Sequence, residues 1–147
     1  MAAPQLVWFR NDLRTEDQTA LADAGVVGGP VVAVYCLCPE QLRAHDVGGN
    51  RLDLMLRTLA VLRDDLEALR IPLRILEPGD FRAVPESLLG LARATGAERL
   101  WFNDEYPLNE RRRDEAVERA FADAGIPVER RTDSVVRAPG TVRTGED

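Results

Sequence analysis

Three short stretches hold most of the side chains able to do chemistry: Asn11-Asp12-Leu13-Arg14, the segment around His45, and Asp104-Glu105-Tyr106-Pro107-Leu108-Asn109-Glu110. They offer hydrogen bonds and ion pairs, and nothing in them supports nucleophilic catalysis. His45 is the one histidine, so a hydrolase triad would have to use it, and no G-x-S-x-G elbow accompanies it. A phosphate-cradling loop is also missing, since no G-x-G-x-x-G follows the first apolar run and no G-x-x-x-x-G-K-[ST] occurs. Cys36 and Cys38 lie two apart in an expected strand, near the upper limit of separation for a disulfide, and read as reduced packing residues. No metal site is expected.

The remaining polar groups each carry two readings. His45, on a polar loop, is by default an exposed or locally hydrogen-bonded imidazole; the alternative is a ligand contact. Asn109 is expected to N-cap the helix that follows, with Glu110 favoured near the positive end of its dipole. The same amide and carboxylate can pair with the donor and acceptor edge of a pterin or another amidine-like ring. Arg111-Arg112-Arg113 is interleaved with Glu110, Asp114, Glu115 and Glu118 at helical spacing, so a solvated ion-pair face is expected there. Arg10, Asp12 and Arg14 alternate beyond the first strand and read equally as a local salt-bridge cluster or as a surface that docks another domain.

The elements that must position these groups alternate between two periods. Strands are expected at Gln5 to Arg10, Val31 to about Leu37, Pro72 to Glu77, Arg99 to Asn103 and Pro127 to Arg131. Helices are expected from about Asp17 to Ala24, Asn50 to about Leu69, Pro85 to Thr95 and Asn109 to Ala124. In the second helix Leu52, Met55, Leu56, Leu59, Leu62, Leu66 and Leu69 recur every three or four residues, a stripe expected to be buried. Trp8 and Trp101 fall in inner strands and are expected to pack in the core. The pattern specifies an α/β fold: a five-stranded parallel, doubly wound, Rossmann-like sheet, order 3-2-1-4-5, with helices on both faces. In that order the loops after strands one, two and four border one crevice at the carboxyl ends of the strands, where open sheets bind ligands.

Composition bounds the rest. The 147 residues suit one domain, and 45% hydrophobic with 30% charged residues excludes a disordered or low-complexity chain. A formal charge of -6 gives the chain as a whole no attraction to nucleic-acid phosphates. All basic residues are Arg, for which no folding reason exists. Neither a membrane span nor a signal-peptide pattern is found, so a cytoplasmic protein is expected. Residues 1–131 are expected to form the domain, and 132–147, with Ala138-Pro139-Gly140 and Thr144-Gly145, a connection leading elsewhere.

Taken together, the motifs resemble the N-terminal antenna domain of the DNA photolyase and cryptochrome family over essentially the full chain. The resemblance rests on Leu6-Val7-Trp8-Phe9-Arg10-Asn11-Asp12-Leu13-Arg14, then Asp17 and Ala20-Leu21, and on Trp101-Phe102-Asn103-Asp104-Glu105-Tyr106-Pro107-Leu108-Asn109-Glu110-Arg111-Arg112-Arg113-Asp114. Pro139-Gly140 and Thr144-Gly145 look like the family's passage into its linker, whereas position 18 departs, with Gln where the family more often has Asn.

The resemblance implies a parent of the CPD photolyase type that repairs ultraviolet-induced pyrimidine dimers by light-driven electron transfer from FAD. The FAD- and DNA-binding helical domain would follow these residues, so the 147-residue chain is not expected to be catalytic by itself, and DNA would be met only through that domain. What it would supply is half of a light-harvesting site. In the folate-using branch methenyltetrahydrofolate sits between the two domains, and His45, Asn109 and Glu110 match its contacting residues; the loop after strand four favours folate over deazaflavin. Arg10, Asp12 and Arg14 would dock the FAD domain. The alternatives are a stand-alone nucleotide- or protein-binding module of the same fold, and the antenna domain of a cryptochrome photoreceptor.

Overall fold

The computed structural model describes residues 2–39 and 48–132. In chain order these form β1 (Gln5–Phe9), α1 (Thr19–Val26), β2 (Val31–Cys36), α2 (Gly49–Ala68), β3 (Leu73–Leu76), a 3-10 turn (Phe81–Ala83), α3 (Val84–Thr95), β4 (Arg99–Asn103), α4 (Leu108–Asp123) and β5 (Val128–Arg131). The strands make one parallel sheet in the order β3-β2-β1-β4-β5, as the sequence pattern requires.

All five residues of β1 are buried because both faces of the sheet are covered. Alternation along the strands divides the core. Leu6, Trp8, Val34, Leu100 and Phe102 point to the layer that holds Val84, Leu88 and Ala92 of α3 with Val117 and Phe121 of α4. Val7, Phe9, Ala33 and Trp101 point to the other, with Ala20, Leu21 and Ala24 of α1 and Leu62 and Leu66 of α2. Both tryptophans are thus core residues, 1% and 4% exposed. Trp101 Nε1 donates to Gln5 Oε1 at 2.7 Å, and the Gln5 amide donates to Glu98 at 2.9 Å, so the buried polar atoms at the foot of that layer are satisfied.

The stripe on α2 is buried only in part. Leu59, Leu62 and Leu66 are buried and Leu52 and Met55 are half-buried, but Leu56 and Leu69 are exposed, as are Leu54 and Val61. The buried and half-buried members, Leu52, Met55, Leu59, Leu62 and Leu66, step by three and four along one face, while Leu54, Leu56 and Val61 turn away from it and Leu69 lies past the last helical residue.

Helix ends also depart from expectation. Pro107 occupies the N-cap position of α4, without a side-chain cap, and Asn109 lies one residue inside the helix. At α1 the cap is Gln18, whose side-chain oxygen accepts from Leu21 N at 2.8 Å. Gly96, at φ +69, closes α3 in the left-handed conformation that a side chain resists. Cys36 and Cys38 are free thiols. Burial pushes them up, to about 12 for Cys36 and about 11 for Cys38, so they rest as protonated packing groups. Of the expected connection at 132–147, all but residue 132 lies outside the described residues.

Candidate ligand cleft at the carboxyl ends of the first and fourth strands

Because β1 lies between β2 and β4, the loops leaving β1 and β4 part at the carboxyl edge of the sheet. A cleft of about 160 Å3 opens there, lined by Asn11, Asp12, Arg14, Asn103, Asp104 and Glu105. A second groove of about 350 Å3 shares Asn11 and Arg14 with it and runs on to Arg51, Leu54, Met55 and Thr58 of α2. The crevice expected from strand order is therefore present between the first and fourth loops. His45, expected to complete it, lies outside the described residues.

Beneath the cleft the loops are tied by a buried ion network. Arg10 is 5% exposed; its Nη1 donates to Asp114 Oδ1 at 2.8 Å, its Nη2 donates to the Asn103 carbonyl, and its Nε lies 3.6 Å from Glu105 Oε1. Arg113, equally buried, donates from Nε to Asp114 Oδ1 at 3.1 Å and from Nη2 to Glu105 Oε1 at 2.7 Å. The guanidinium carbons stand 4.4 Å (Arg10) and 4.9 Å (Arg113) from the Trp8 ring centre, and Trp8 itself meets Phe102 edge-on at 5.2 Å. Burial works against the charge on Arg113, but Asp114 and Glu105 outweigh it and hold its pKa above the ordinary value. Burial pushes the Asp114 carboxyl up, with Arg10 and Arg113 pulling against it. Asp114 Oδ2 and Arg10 Nε are buried without a hydrogen-bond partner among the described residues.

Asp12 performs a second internal task. Its Oδ1 accepts from Arg10 N at 2.8 Å, and its Oδ2 accepts from Asn103 Nδ2 at 2.7 Å and from Gln18 Nε2 at 3.1 Å. Asn103 Oδ1 then accepts from Ala20 N, so the carboxylate organises the start of α1 through two amides. These contacts correct the docking assignment for Arg10 and Asp12: both are buried and spend their polar atoms within this chain. Of the three, only Arg14 is exposed, and it donates to the Asp17 carbonyl at 3.0 Å.

A second correction concerns the arginine run. Arg111 and Arg112 are solvated, but Arg113 is drawn inward by the Trp8 face and two carboxylates that helical spacing alone does not bring together. Glu105, part of a polar stretch but given no role by the sequence, lines the cleft and ties its two walls. Its Oε1 takes Arg113, and its Oε2 accepts from Asn11 Nδ2 at 2.7 Å, spanning the cleft from one loop to the other. The preceding Asp104 turns the other way, holding Arg130 Nε at 2.5 Å on the neighbouring strand.

Asn109 and Glu110 lie in the first turn of α4, the amide exposed and the carboxylate half-buried. Neither side chain makes a hydrogen bond or ion pair among the described residues, and neither lines the cleft itself. Among those residues no group of His, Cys, Asp or Glu is arranged to hold a metal ion, and no helix is long and apolar enough to cross a membrane.

The DNA photolyase family model matches residues 5–147. The chain belongs to the DNA photolyase family. A deoxyribodipyrimidine photo-lyase of Vibrio cholerae is 39% identical over 140 residues, which is 95% of this chain and 30% of that protein. Cryptochrome-1 of Sinapis alba is 34% identical over 92% of this chain and 26% of its own. Among solved structures, a bacterial class III photolyase from Agrobacterium tumefaciens superposes with a TM-score of 0.85 at 30% identity, covering 98% of this chain and 28% of that one. The chain spans less than a third of the length of these family members.

Proposed function

We propose that this chain is the light-harvesting domain of a deoxyribodipyrimidine photolyase and that methenyltetrahydrofolate is its antenna chromophore. The observation that carries this reading is the pair Asn109 and Glu110: an amide and a carboxylate on the first turn of a rigid helix, without partners among the described residues, a few positions beyond the cleft wall of a photolyase-family domain. An acceptor carboxylate beside a donor-acceptor amide suits the edge of a pterin ring. A cleft of about 160 Å3 is smaller than the roughly 300–1,000 Å3 of ligand pockets that enclose their guests. The chromophore would therefore be gripped from one side here, with His45 and a second domain completing the site.

Bound folate would absorb near-ultraviolet or blue light and pass the excitation to FAD in the partner domain, without bonds being made. This chain's residues bind and orient: Glu110 and Asn109 fix the ring edge, and exposed Arg14 faces the domain that holds FAD and meets DNA. Repair of pyrimidine dimers then belongs to the whole protein. The photolyase reading is preferred over the cryptochrome because the Vibrio cholerae photo-lyase shares more of this sequence.

Titration of the chain with 5,10-methenyltetrahydrofolate, followed by its fluorescence, tests the reading. Affinity is expected to be micromolar or weaker, on the order of 10⁻⁶ M, because one-sided burial leaves little surplus over the cost of association. It should fall further in Glu110→Ala while stability stays within about 0.5 kcal/mol. Submicromolar affinity of the chain alone, or unchanged affinity in Glu110→Ala, contradicts the proposal.

A further inference from the structure

Only four residues, Asp104 to Pro107, separate the end of β4 from the start of α4. So short a span leaves the direction of the helix to whatever holds those residues. Two consecutive carboxylates hold them, and they pull apart. Asp104 reaches Arg130 on β5, and its backbone N donates to the Arg131 carbonyl at 2.7 Å, which fastens the loop to one side. Glu105 reaches Arg113 on α4 and Asn11 on the β1 loop, which fastens it to the other. Arg113 is in turn fixed one residue along by Asp114, the carboxylate it shares with Arg10.

Glu105 therefore ties its own loop to α4 and to the β1 loop through two donors, Arg113 Nη2 and Asn11 Nδ2, from a position three residues before the helix begins. We infer that Glu105 is a positioning residue: clamped between Arg113 and Asn11, it sets the direction in which the first turn of α4 presents Asn109 and Glu110. It need not touch the chromophore. Its effect reaches the ligand through the helix, because Arg113 lies one turn beyond Asn109 on the same rigid element. The ligand arm of this inference rests on the folate reading above; the loop arm does not.

The experiment compares the wild-type chain with Glu105→Ala and Glu105→Gln. Amide hydrogen exchange is followed along residues 104–110 and, as an internal reference, along β1 and β4; 5,10-methenyltetrahydrofolate is titrated into the same samples. Glu105→Ala loses both contacts and should speed exchange in the loop roughly tenfold, the weight of one charge-assisted hydrogen bond, while sheet amides are unchanged. Affinity for the folate should drop by a similar factor, about tenfold. Glu105→Gln still has a carbonyl oxygen to accept from one donor and should recover part of both losses. Loop exchange equal to wild type in Glu105→Ala overturns the inference, whatever happens to binding. Faster exchange with unchanged folate affinity overturns the link from loop to ligand. If the wild-type chain takes no folate while the loop still loosens in Glu105→Ala, the clamp stands and the chromophore reading falls.

Discussion

Arg10 and Arg113 donate to the same carboxylate oxygen, Asp114 Oδ1, at 2.8 and 3.1 Å. They come from the end of β1 and from α4, and one buried anion between them joins the sheet to the helix layer above it. Both cations also stand over the ring of Trp8, at 4.4 and 4.9 Å from its centre.

Removing that anion should be severe. Asp114→Ala leaves two buried guanidinium groups with only Glu105 between them, and stability should fall by about 3–5 kcal/mol. Urea denaturation measures it. The exposed pair Arg57–Asp53 is the comparison, where Arg57→Ala should change stability by less than about 0.5 kcal/mol. Similar small losses at both sites would mean that the buried network contributes nothing beyond a surface pair.

The alkaline limb of the stability curve follows from three neighbouring acids. Burial first, then the nearby thiols, raises Tyr35 to about 12, and burial holds Cys36 at about 12 and Cys38 at about 11. An unfolded chain gives up these protons near 9 to 10, so between there and about 11 to 12 the folded state binds more protons than the unfolded one. Stability is then full below pH 9 and lost as pH rises, with a slope of up to about 1.4 kcal/mol per pH unit for each group. Tyr35→Phe should flatten the slope by one proton. At pH 7 it loses only the hydroxyl contact to Met55 Sδ at 3.1 Å. A pH-independent midpoint between pH 8 and 11 would refute the assignment.

At the start of α1, Gln18→Ala should cost about 1–2 kcal/mol, the value of a lost N-cap with Asp12 left one donor short. Gln18→Asn is the informative contrast. An amide one carbon shorter can keep the cap on Leu21 N or the bond to Asp12, so it should lie between the two in thermal melts.

Gly29 and Gly25 should respond with opposite signs to alanine. A Cβ at Gly29 would stand 2.7 Å from the Ala3 carbonyl oxygen, where the N-terminal segment crosses, and should destabilise by about 1–3 kcal/mol. A Cβ at Gly25 meets nothing within 4 Å and replaces a helical glycine, so it should stabilise by about 0.5–1 kcal/mol. Melting temperatures of the two variants decide it.

Strand order was legible because β1 and β2 are short apolar runs and parallel strands need helical crossovers, which leaves few arrangements. The cleft was legible for the same reason, since it is a property of topology. What the sequence hid is the partner of each charge. Arg113 reads as one member of a solvated helix face when only neighbours at three and four residues are counted, yet its partners are the adjacent Asp114, and Glu105 and Trp8 from outside the helix. Arg10 and Asp12 left two readings open, and the decision fell to Asp114, 104 residues away from Arg10. Asn109 was misplaced by two positions, because Pro107 takes the N-cap and Leu108 already begins the helix. The exposure of Leu56 and Leu69 was hidden because the three- and four-residue spacing marks a stripe wider than the face that α2 buries.

The two indoles of the chain sit on opposite sides of one sheet, Trp8 under α3 and α4 and Trp101 under α1 and α2. Each therefore serves as a built-in optical reporter for its own half of the sandwich. In Trp8→Phe and Trp101→Phe versions, emission from the surviving ring would reveal whether the two helical coats melt together or peel away one after the other.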